Sequence, residues 1–171
     1  MQAYNYRDLN VLIVDDNRLM RNLVRTVLFA FGVQDVMEAA DGAAALKALQ
    51  SFSADVVITD WEMEPLDGLD LTRIIRTADD SPNPFVPIIM LTGHTEIDRV
   101  HDARDAGVTE FLAKPVSSAM VYQRLVKIVE NPRRFIRAGG FAGPDRRRRD
   151  TLHAGVERRV VEVDETLLRA A

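Results

Sequence analysis

The chain has 171 residues and a formal net charge of -4, and 47% of its residues are hydrophobic, 28% charged and 6% aromatic. This profile is typical of a globular protein with an aliphatic core, and the length favours one domain with a short appendage over two full domains. The absence of cysteine excludes disulfides and thiolate metal sites. Because the sequence shows neither a signal peptide nor an apolar run long enough to cross a bilayer, we expect a cytoplasmic protein without membrane insertion.

Short apolar runs alternate with segments of helical periodicity from residue 10 to residue 130. This alternation is typical of a parallel sheet covered by helices on both faces. We expect strands at Val11–Val14, Asp35–Glu38, Val56–Thr59, Pro87–Leu91 and Glu110–Leu112. We expect helices at about Arg18–Phe31, Ala43–Gln50, Leu69–Ala78, Glu96–Ala106 and Ser118–Val129, with caps at Asp41, Thr95 and Ser117. The sequence therefore predicts a doubly wound α/β fold with a five-stranded parallel sheet and five helices.

Polar side chains follow four of the predicted strands where each strand ends. They are Asp15 and Asp16 after the first strand, Asp60 after the third, Thr92 after the fourth and Lys114 after the fifth. Because the carboxyl ends of parallel strands share one edge of a sheet, these distant positions are expected to converge on one site. Taken singly, each has a plain structural interpretation, such as helix capping by Asp16 or Asn17, so the ordered set carries the prediction.

The chemistry of this set points to a divalent cation and a phosphoryl group. Three neighbouring carboxylates raise one another's pKa unless a cation lies between them, and Mg²⁺ is the hard ion that accepts carboxylate oxygens while leaving positions for phosphate. Asp60 is the candidate nucleophile, since a carboxylate can attack phosphorus to form an acyl phosphate. The Lys114 ammonium and the Thr92 hydroxyl are suited to stabilise the charge on the phosphoryl oxygens.

The motifs VLIVDD, ITDWEM, LDG, MLTG and AKP, in this order, resemble the bacterial response-regulator receiver family of the chemotaxis-regulator type. The resemblance covers about residues 9–131 and implies the flavodoxin-like receiver fold. It implies a metal site formed by Asp15, Asp16, Asp60 and the backbone carbonyl of Glu62, with Asp60 as phosphoacceptor.

The same resemblance implies roles for residues of the last two strands. Thr92 would be the switch hydroxyl, Phe111 the aromatic switch residue, and Lys114 the lysine that contacts the phosphoryl group, with a cis peptide bond before Pro115. One departure lies after Asp60, where the proline that this family has four residues later is replaced by Glu64 and followed by Pro65.

Residues 132–171 differ in character and are interpreted as an arginine-rich extension, partly disordered or with a short helix at about 156–168. Residues 1–131 carry 12 basic and 20 acidic side chains, whereas residues 132–171 carry 10 and 6. The arginines favour either a solvated arm or an anion site. Arg147, Arg148 and Asp150 resemble short arginine motifs of cyclic di-GMP receptors, which makes this nucleotide the candidate ligand.

The leading hypothesis is a single-domain response regulator of a two-component phosphorelay, a signalling protein and not an enzyme. It would accept a phosphoryl group from a histidine kinase or phosphotransfer protein and switch a face that binds a downstream protein. The alternative is a Mg²⁺-dependent phosphohydrolase using an aspartyl phosphate, although such enzymes favour a second aspartate where this chain has Glu62. DNA binding is not expected; nucleic-acid binding through the tail alone would show a steep salt dependence.

Overall fold

The structure is a computed structural model that describes residues 6–93, 97–130, 133–138, 141–145 and 160–162. Its main sheet contains β1 (Asn10–Val14), β2 (Asp35–Ala39), β3 (Val56–Asp60), β4 (Ile88–Thr92) and β5 (Glu110–Ala113). The strands lie in the order β2-β1-β3-β4-β5, and every neighbouring pair is parallel. The five predicted strands are confirmed, each with its ends within about one residue of those expected.

The described chain contains five helices, of which four connect these strands and the fifth follows β5. They are α1 (Arg18–Ala30), α2 (Gly42–Leu49), α3 (Gly68–Thr77), α4 (Ile97–Ala106) and α5 (Ser118–Glu130). Side-chain caps define several starts, because Asn17 accepts the Leu19 N–H at 2.9 Å and Asp41 accepts the Ala44 N–H at 2.8 Å. Ser117 accepts the Met120 N–H at 3.3 Å as predicted, whereas the expected cap Thr95 lies outside the described residues. The predicted doubly wound fold is confirmed.

The apolar core lies on both faces of the sheet. In β1, Val11 and Ile13 belong to one cluster with residues of α1 and α5, while Leu12 and Val14 belong to another with residues of α2 and α3. This alternation follows from the two-residue period of a strand, and burial on both faces explains why the strands are continuous apolar runs. No helix in the described ranges is long and apolar enough to cross a membrane.

The C-terminal extension contains strands that the sequence did not predict. β6 (Phe135–Ala138), β7 (Phe141–Pro144) and β8 (Val160–Glu162) form a separate antiparallel sheet in the order β7-β6-β8. Where a short helix was expected at about 156–168, the described part is therefore a strand. The β-branched Val160 and Val161 pair with β6, a partner more than twenty residues away in the sequence, so tertiary pairing outweighs the weak local pattern.

Candidate functional site

The site lies at the edge of the main sheet where the parallel strands end. Asp15 follows β1, Asp60 is the last residue of β3, Thr92 is the last residue of β4, and Lys114 follows β5. Neighbouring registers bring these ends together, since Val14 pairs with Thr59 and Thr92 pairs with Ala113. The topology thus places four separate parts of the chain around one pocket.

Three carboxylates form an acidic cluster in this pocket. Asp15, Asp16 and Asp60 each offer a carboxylate oxygen, and these oxygens lie within 4.8 Å of one another. Asp15 is fully buried and Asp60 nearly so, whereas Asp16 is exposed. Asp15 Oδ1 accepts the Asn17 N–H at 2.8 Å, but its Oδ2 is buried without a hydrogen-bond partner among the described residues. An orphaned buried oxygen is unfavourable by itself, so this set of oxygen donors fits a hard divalent cation.

The electrostatics of Asp15 support the same conclusion. Burial raises its pKa above the ordinary value of 3.8, and the negative charges of Asp60 and Asp16 act in the same direction. The hydrogen bond from Asn17 and the charge of Lys114 lower the pKa and offset part of this effect. In the absence of a metal ion, the negative charges of the cluster therefore outnumber the single positive charge of Lys114.

The two oxygens of Asp60 have different partners. Oδ1 accepts the backbone N–H of Trp61 at 2.8 Å, and Oδ2 lies 2.8 Å from Lys114 Nζ. Lys114 Nζ also lies 3.9 Å from Asp15 Oδ2, and the Lys114 N–H donates to the Thr92 carbonyl at 2.8 Å. The peptide bond between Lys114 and Pro115 is cis, as the resemblance implied. Lys114 is thus held between β4 and β5 with its ammonium beside two of the acids.

The start of α3 packs directly against the strand that carries Asp60. Gly68 donates its N–H to the Trp61 carbonyl at 2.9 Å, and a Cβ at this position would collide with the Asp60 carbonyl oxygen. The Thr72 hydroxyl donates to the Gly68 carbonyl at 2.7 Å and secures the first turn of the helix. The glycine of the LDG motif is therefore required for this close approach.

Comparison with known proteins assigns this architecture to a family. The sequence model of the response regulator receiver domain matches residues 11–126. The chain belongs to this family. It is a receiver of two-component signalling, and its residues from 133 onward lie beyond the family match.

Chemotaxis regulators are among the similar proteins. The receiver is 35% identical to chemotaxis protein CheY-3 of Vibrio cholerae over 130 residues, covering 76% of this chain and 98% of the relative. It is 34% identical to chemotaxis protein CheY of Pseudomonas aeruginosa over 122 residues, covering 71% and 97% of the two chains.

Solved structures show the same relationship. CheY4 of Vibrio cholerae aligns with a TM-score of 0.65 and 31% identity, covering 70% of this chain and 98% of its own. The receiver domain of the sensor histidine kinase PA1611 of Pseudomonas aeruginosa aligns with a TM-score of 0.60 and 29% identity over 70% and 94% of the two chains. That structure has a magnesium ion coordinated in its active site cleft.

The other predicted site residues of the receiver occupy different environments. Thr92 is buried at the end of β4, and Phe111 is half-buried on β5 against an apolar cluster that includes Trp61. Glu62 is exposed in the loop after Asp60, where the Glu64–Pro65 peptide bond is cis. The proposed nucleotide ligands Arg147, Arg148 and Asp150 lie outside the described residues.

Sequence reasoning missed one residue that orders the acidic loop. Arg21 Nη1 donates to the carbonyl oxygens of Asp15 at 2.7 Å and Asp16 at 3.3 Å, while its Nε donates to Glu38 at 3.1 Å. Arg25 lies 3.1 Å from the other oxygen of Glu38 and helps to hold it. The position of Arg21 near the start of α1 offered a weak signal, but its partner on β2 is visible only in the fold.

Proposed function

We propose that this receiver is a single-domain response regulator in which Asp60 accepts a phosphoryl group from a histidine kinase or phosphotransfer protein. The observation that carries the proposal is the pairing of Asp60 Oδ2 with Lys114 Nζ at 2.8 Å, beside two further carboxylates. This arrangement orients a carboxylate nucleophile and keeps the positively charged, flexible Lys114 side chain next to the atoms that receive the phosphoryl group.

In the transfer, an Asp60 carboxylate oxygen forms a bond to phosphorus as the P–N bond of the donor phosphohistidine breaks. The departing imidazole nitrogen keeps the electron pair and takes a proton. Lys114 moves its contact from the carboxylate to a phosphoryl oxygen, because its side chain is flexible and partly exposed. The Thr92 hydroxyl provides a further donor from the adjacent strand end.

Asp15, Asp16, Asp60 and the Glu62 backbone carbonyl are the proposed ligands of Mg²⁺. The buried Asp15 Oδ2, which accepts no hydrogen bond from the described residues, supports this assignment, as does the all-oxygen composition of the cluster. When bound there, Mg²⁺ would offset the carboxylate charges and stabilise charge on the phosphoryl oxygens. Arg21 positions the loop for this purpose by holding the carbonyls of Asp15 and Asp16.

The output of the receiver would be a change at the face formed by α4, β5 and α5, where a downstream protein binds. Thr92 and Phe111 are the proposed switch residues, since Thr92 ends β4 and Phe111 is half-buried on the neighbouring β5. Phosphorylation acts by biasing an equilibrium between two arrangements of this face.

A labelling experiment tests the phosphoacceptor. With acetyl phosphate and Mg²⁺, mass spectrometry should show a single added phosphoryl group per chain, and Asp60→Asn should abolish it. Asp35→Asn removes an exposed carboxylate at the start of β2 and should leave labelling unchanged. Labelling that persists in Asp60→Asn would contradict the assignment, and sustained multiple turnover of phosphate esters would favour the phosphohydrolase alternative.

The arginine-rich extension is proposed to bind cyclic di-GMP through Arg147, Arg148 and Asp150. Support comes from the sequence, because arginine forks pair with phosphates and with guanine edges. Calorimetry with the whole chain provides the test. Binding that is absent, or that is the same after Arg147→Ala with Arg148→Ala, rejects the nucleotide.

A further inference from the structure

Nothing in the receiver family match accounts for β6 and β7, which together are called the C-terminal hairpin below. The hairpin packs, through β7, against the C-terminal ends of α3 and α4. Its contact point on the receiver, Gly107, lies between α4 and β5 and therefore at the edge of the sheet opposite to Asp60.

Arg76 is the centre of this contact. It lies in the last turn of α3 and is only 1% exposed. Its Nε and Nη2 donate to the Gly107 carbonyl at 3.2 and 3.1 Å, and its Nη1 donates to the Pro84 carbonyl at 2.8 Å. The guanidinium carbon lies 5.0 Å from the centre of the Phe135 ring of β6. One side chain thus connects α3, the loop before β4, the end of α4 and the hairpin.

The guanidinium of Arg76 is charged at neutral pH. Burial lowers its pKa to about 9, which is still well above neutrality. A buried charge needs partners, and Arg76 finds them in two carbonyls and an aromatic face. Phe135 covers this charge and also meets the Phe85 ring edge-on at 5.6 Å. Displacement of the hairpin would therefore remove the aromatic face from the Arg76 guanidinium.

The backbone of β7 lies directly on the receiver. A Cβ at Gly107 would lie 2.7 Å from the Ala142 carbonyl oxygen, and a Cβ at Gly143 would lie 2.8 Å from the Gly107 Cα. The two glycine backbones are so close that neither position has room for a side chain in this contact. A shift of about an ångström at the end of α4 would therefore disrupt it, since packed interfaces deform little before they separate.

Two helices connect this contact to the proposed phosphorylation site. α3 begins at Gly68, against the Asp60 carbonyl, and reaches Arg76 at its other end, over a length of roughly 15 Å. α4 follows the segment after Thr92 and ends at Ala106, next to Gly107. Arg76 joins the far ends of both helices to Phe135.

We propose that the C-terminal hairpin is an intramolecular ligand of the receiver that docks on Arg76 and Gly107 while Asp60 is unmodified and loosens when Asp60 is phosphorylated. The inference rests on the proposed function of Asp60. A phosphoryl group that draws the Thr92 hydroxyl and Lys114 toward itself would shift the end of β4, and α4 is the next helix along the chain. The phosphorylation state then controls whether β6 and β7 stay packed on the receiver.

Hydrogen–deuterium exchange of the full chain tests the coupling directly. Beryllofluoride with Mg²⁺ serves as the phosphoryl mimic, and fluorescence of Trp61 reports its binding. The amides of β6 and β7 should exchange about fivefold faster with the mimic than without it, a change at the lower end of usual allosteric couplings. Amides of β1, remote from the hairpin, should show no such increase and serve as an internal reference.

Because thermodynamic coupling is reciprocal, weaker docking of the hairpin on the receiver should increase the affinity for beryllofluoride. Phe135→Ala removes the ring over Arg76 and should increase the affinity for beryllofluoride about fivefold. The matched control is Arg134→Ala, which truncates an exposed side chain next to Phe135 and should leave the affinity unchanged. Gly143→Ala, which pushes β7 away from Gly107, should act like Phe135→Ala and provides a second variant if the first does not fold.

The outcomes separate this inference from the proposed function. If the unmodified protein binds beryllofluoride but exchange in the hairpin is unchanged and the variants bind equally, the hairpin is not coupled to Asp60 while the phosphoacceptor assignment stands. Failure of the unmodified protein to bind the mimic would overturn the proposed function, and the inference with it. Slower hairpin exchange with the mimic would contradict the proposed direction of the coupling.

Discussion

Asp15 lies in surroundings that disfavour its negative charge. It is fully buried, its Oδ2 has no hydrogen-bond partner in the described part of the chain, and Asp16 and Asp60 lie beside it. The raised pKa of Asp15 means that the folded, metal-free protein binds its proton more tightly than the unfolded chain does. The residue is therefore better suited to binding a cation than to stabilising the fold.

The consequence for stability has a definite sign. As pH rises from the ordinary pKa of 3.8 through the raised folded value, the folded state holds more protons than the unfolded state, so stability falls and the loss persists above that range. Asp15→Asn removes the ionisation and should stabilise the metal-free protein near neutral pH. A gain of about 1 kcal/mol would raise Tm by roughly 2–4 °C.

Thermal unfolding in the presence of a chelator measures this effect. The gain of Asp15→Asn should disappear when the pH is lowered below 3.8, because Asp15 is then protonated in both states. Asp35→Asn, at an exposed position, is the control and should leave Tm unchanged at neutral pH. A variant less stable than the original protein at neutral pH would contradict a destabilising effect of the buried Asp15 charge.

At the scale of elements, α3 links the end of β3, which carries Asp60, to the rest of the molecule. Its start is defined by Asp67, which accepts the Asp70 N–H at 2.7 Å, and by Gly68, which contacts the end of β3. Its other end carries Arg76. The helix is thus fixed at both ends by contacts that its own sequence periodicity does not show.

Gly68→Ala should push α3 away from Asp60. The added Cβ meets backbone atoms that have no rotamers with which to yield, so we expect a loss of about 2–3 kcal/mol in the free energy of unfolding and slower labelling of Asp60. Chemical denaturation measures the first effect. Gly93→Ala is the control for stability, since a Cβ there meets no atom within 4 Å. Equal stability of the two variants would contradict the close packing of α3 on β3.

At the scale of the whole molecule, the receiver and its extension form one packed unit around Arg76. The main sheet concentrates negative charge at one edge, in the acidic cluster, while the opposite edge holds the hairpin. Because a ligand that binds only the folded chain stabilises it by mass action, cation binding at the acidic edge is measurable as a change in the stability of the chain.

Mg²⁺ should therefore raise the thermal stability of the protein. A ligand present at 100 times its Kd stabilises by about 2.7 kcal/mol, which corresponds to a rise of roughly 5–10 °C in Tm. Scanning calorimetry across a Mg²⁺ titration at constant ionic strength checks this. Asp16→Ala removes an exposed carboxylate of the cluster and should abolish most of the rise. The same rise in this variant would place the cation elsewhere.

The sequence by itself determined the main sheet, its helices and the edge of the sheet at which the predicted site residues lie. Continuous apolar runs such as Val11–Val14 and helical periods such as that of α1 are local signals, and the five predicted strands and five helices are confirmed. Parallel connections then require that Asp15, Asp60, Thr92 and Lys114 meet at one edge. These residues end their strands or follow them directly, so no knowledge of packing was needed to place them together.

Only the tertiary structure decided how the extension and the supporting contacts are arranged. Val160 and Val161 become a strand by pairing with β6, Arg21 reaches Glu38 on a neighbouring element, and Arg76 is buried by Gly107 and Phe135. Each of these contacts joins residues far apart in the sequence, and its formation depends on the free energy of packing the whole chain. Local propensity contains no information about such partners, which is why these features appear only once the chain is folded.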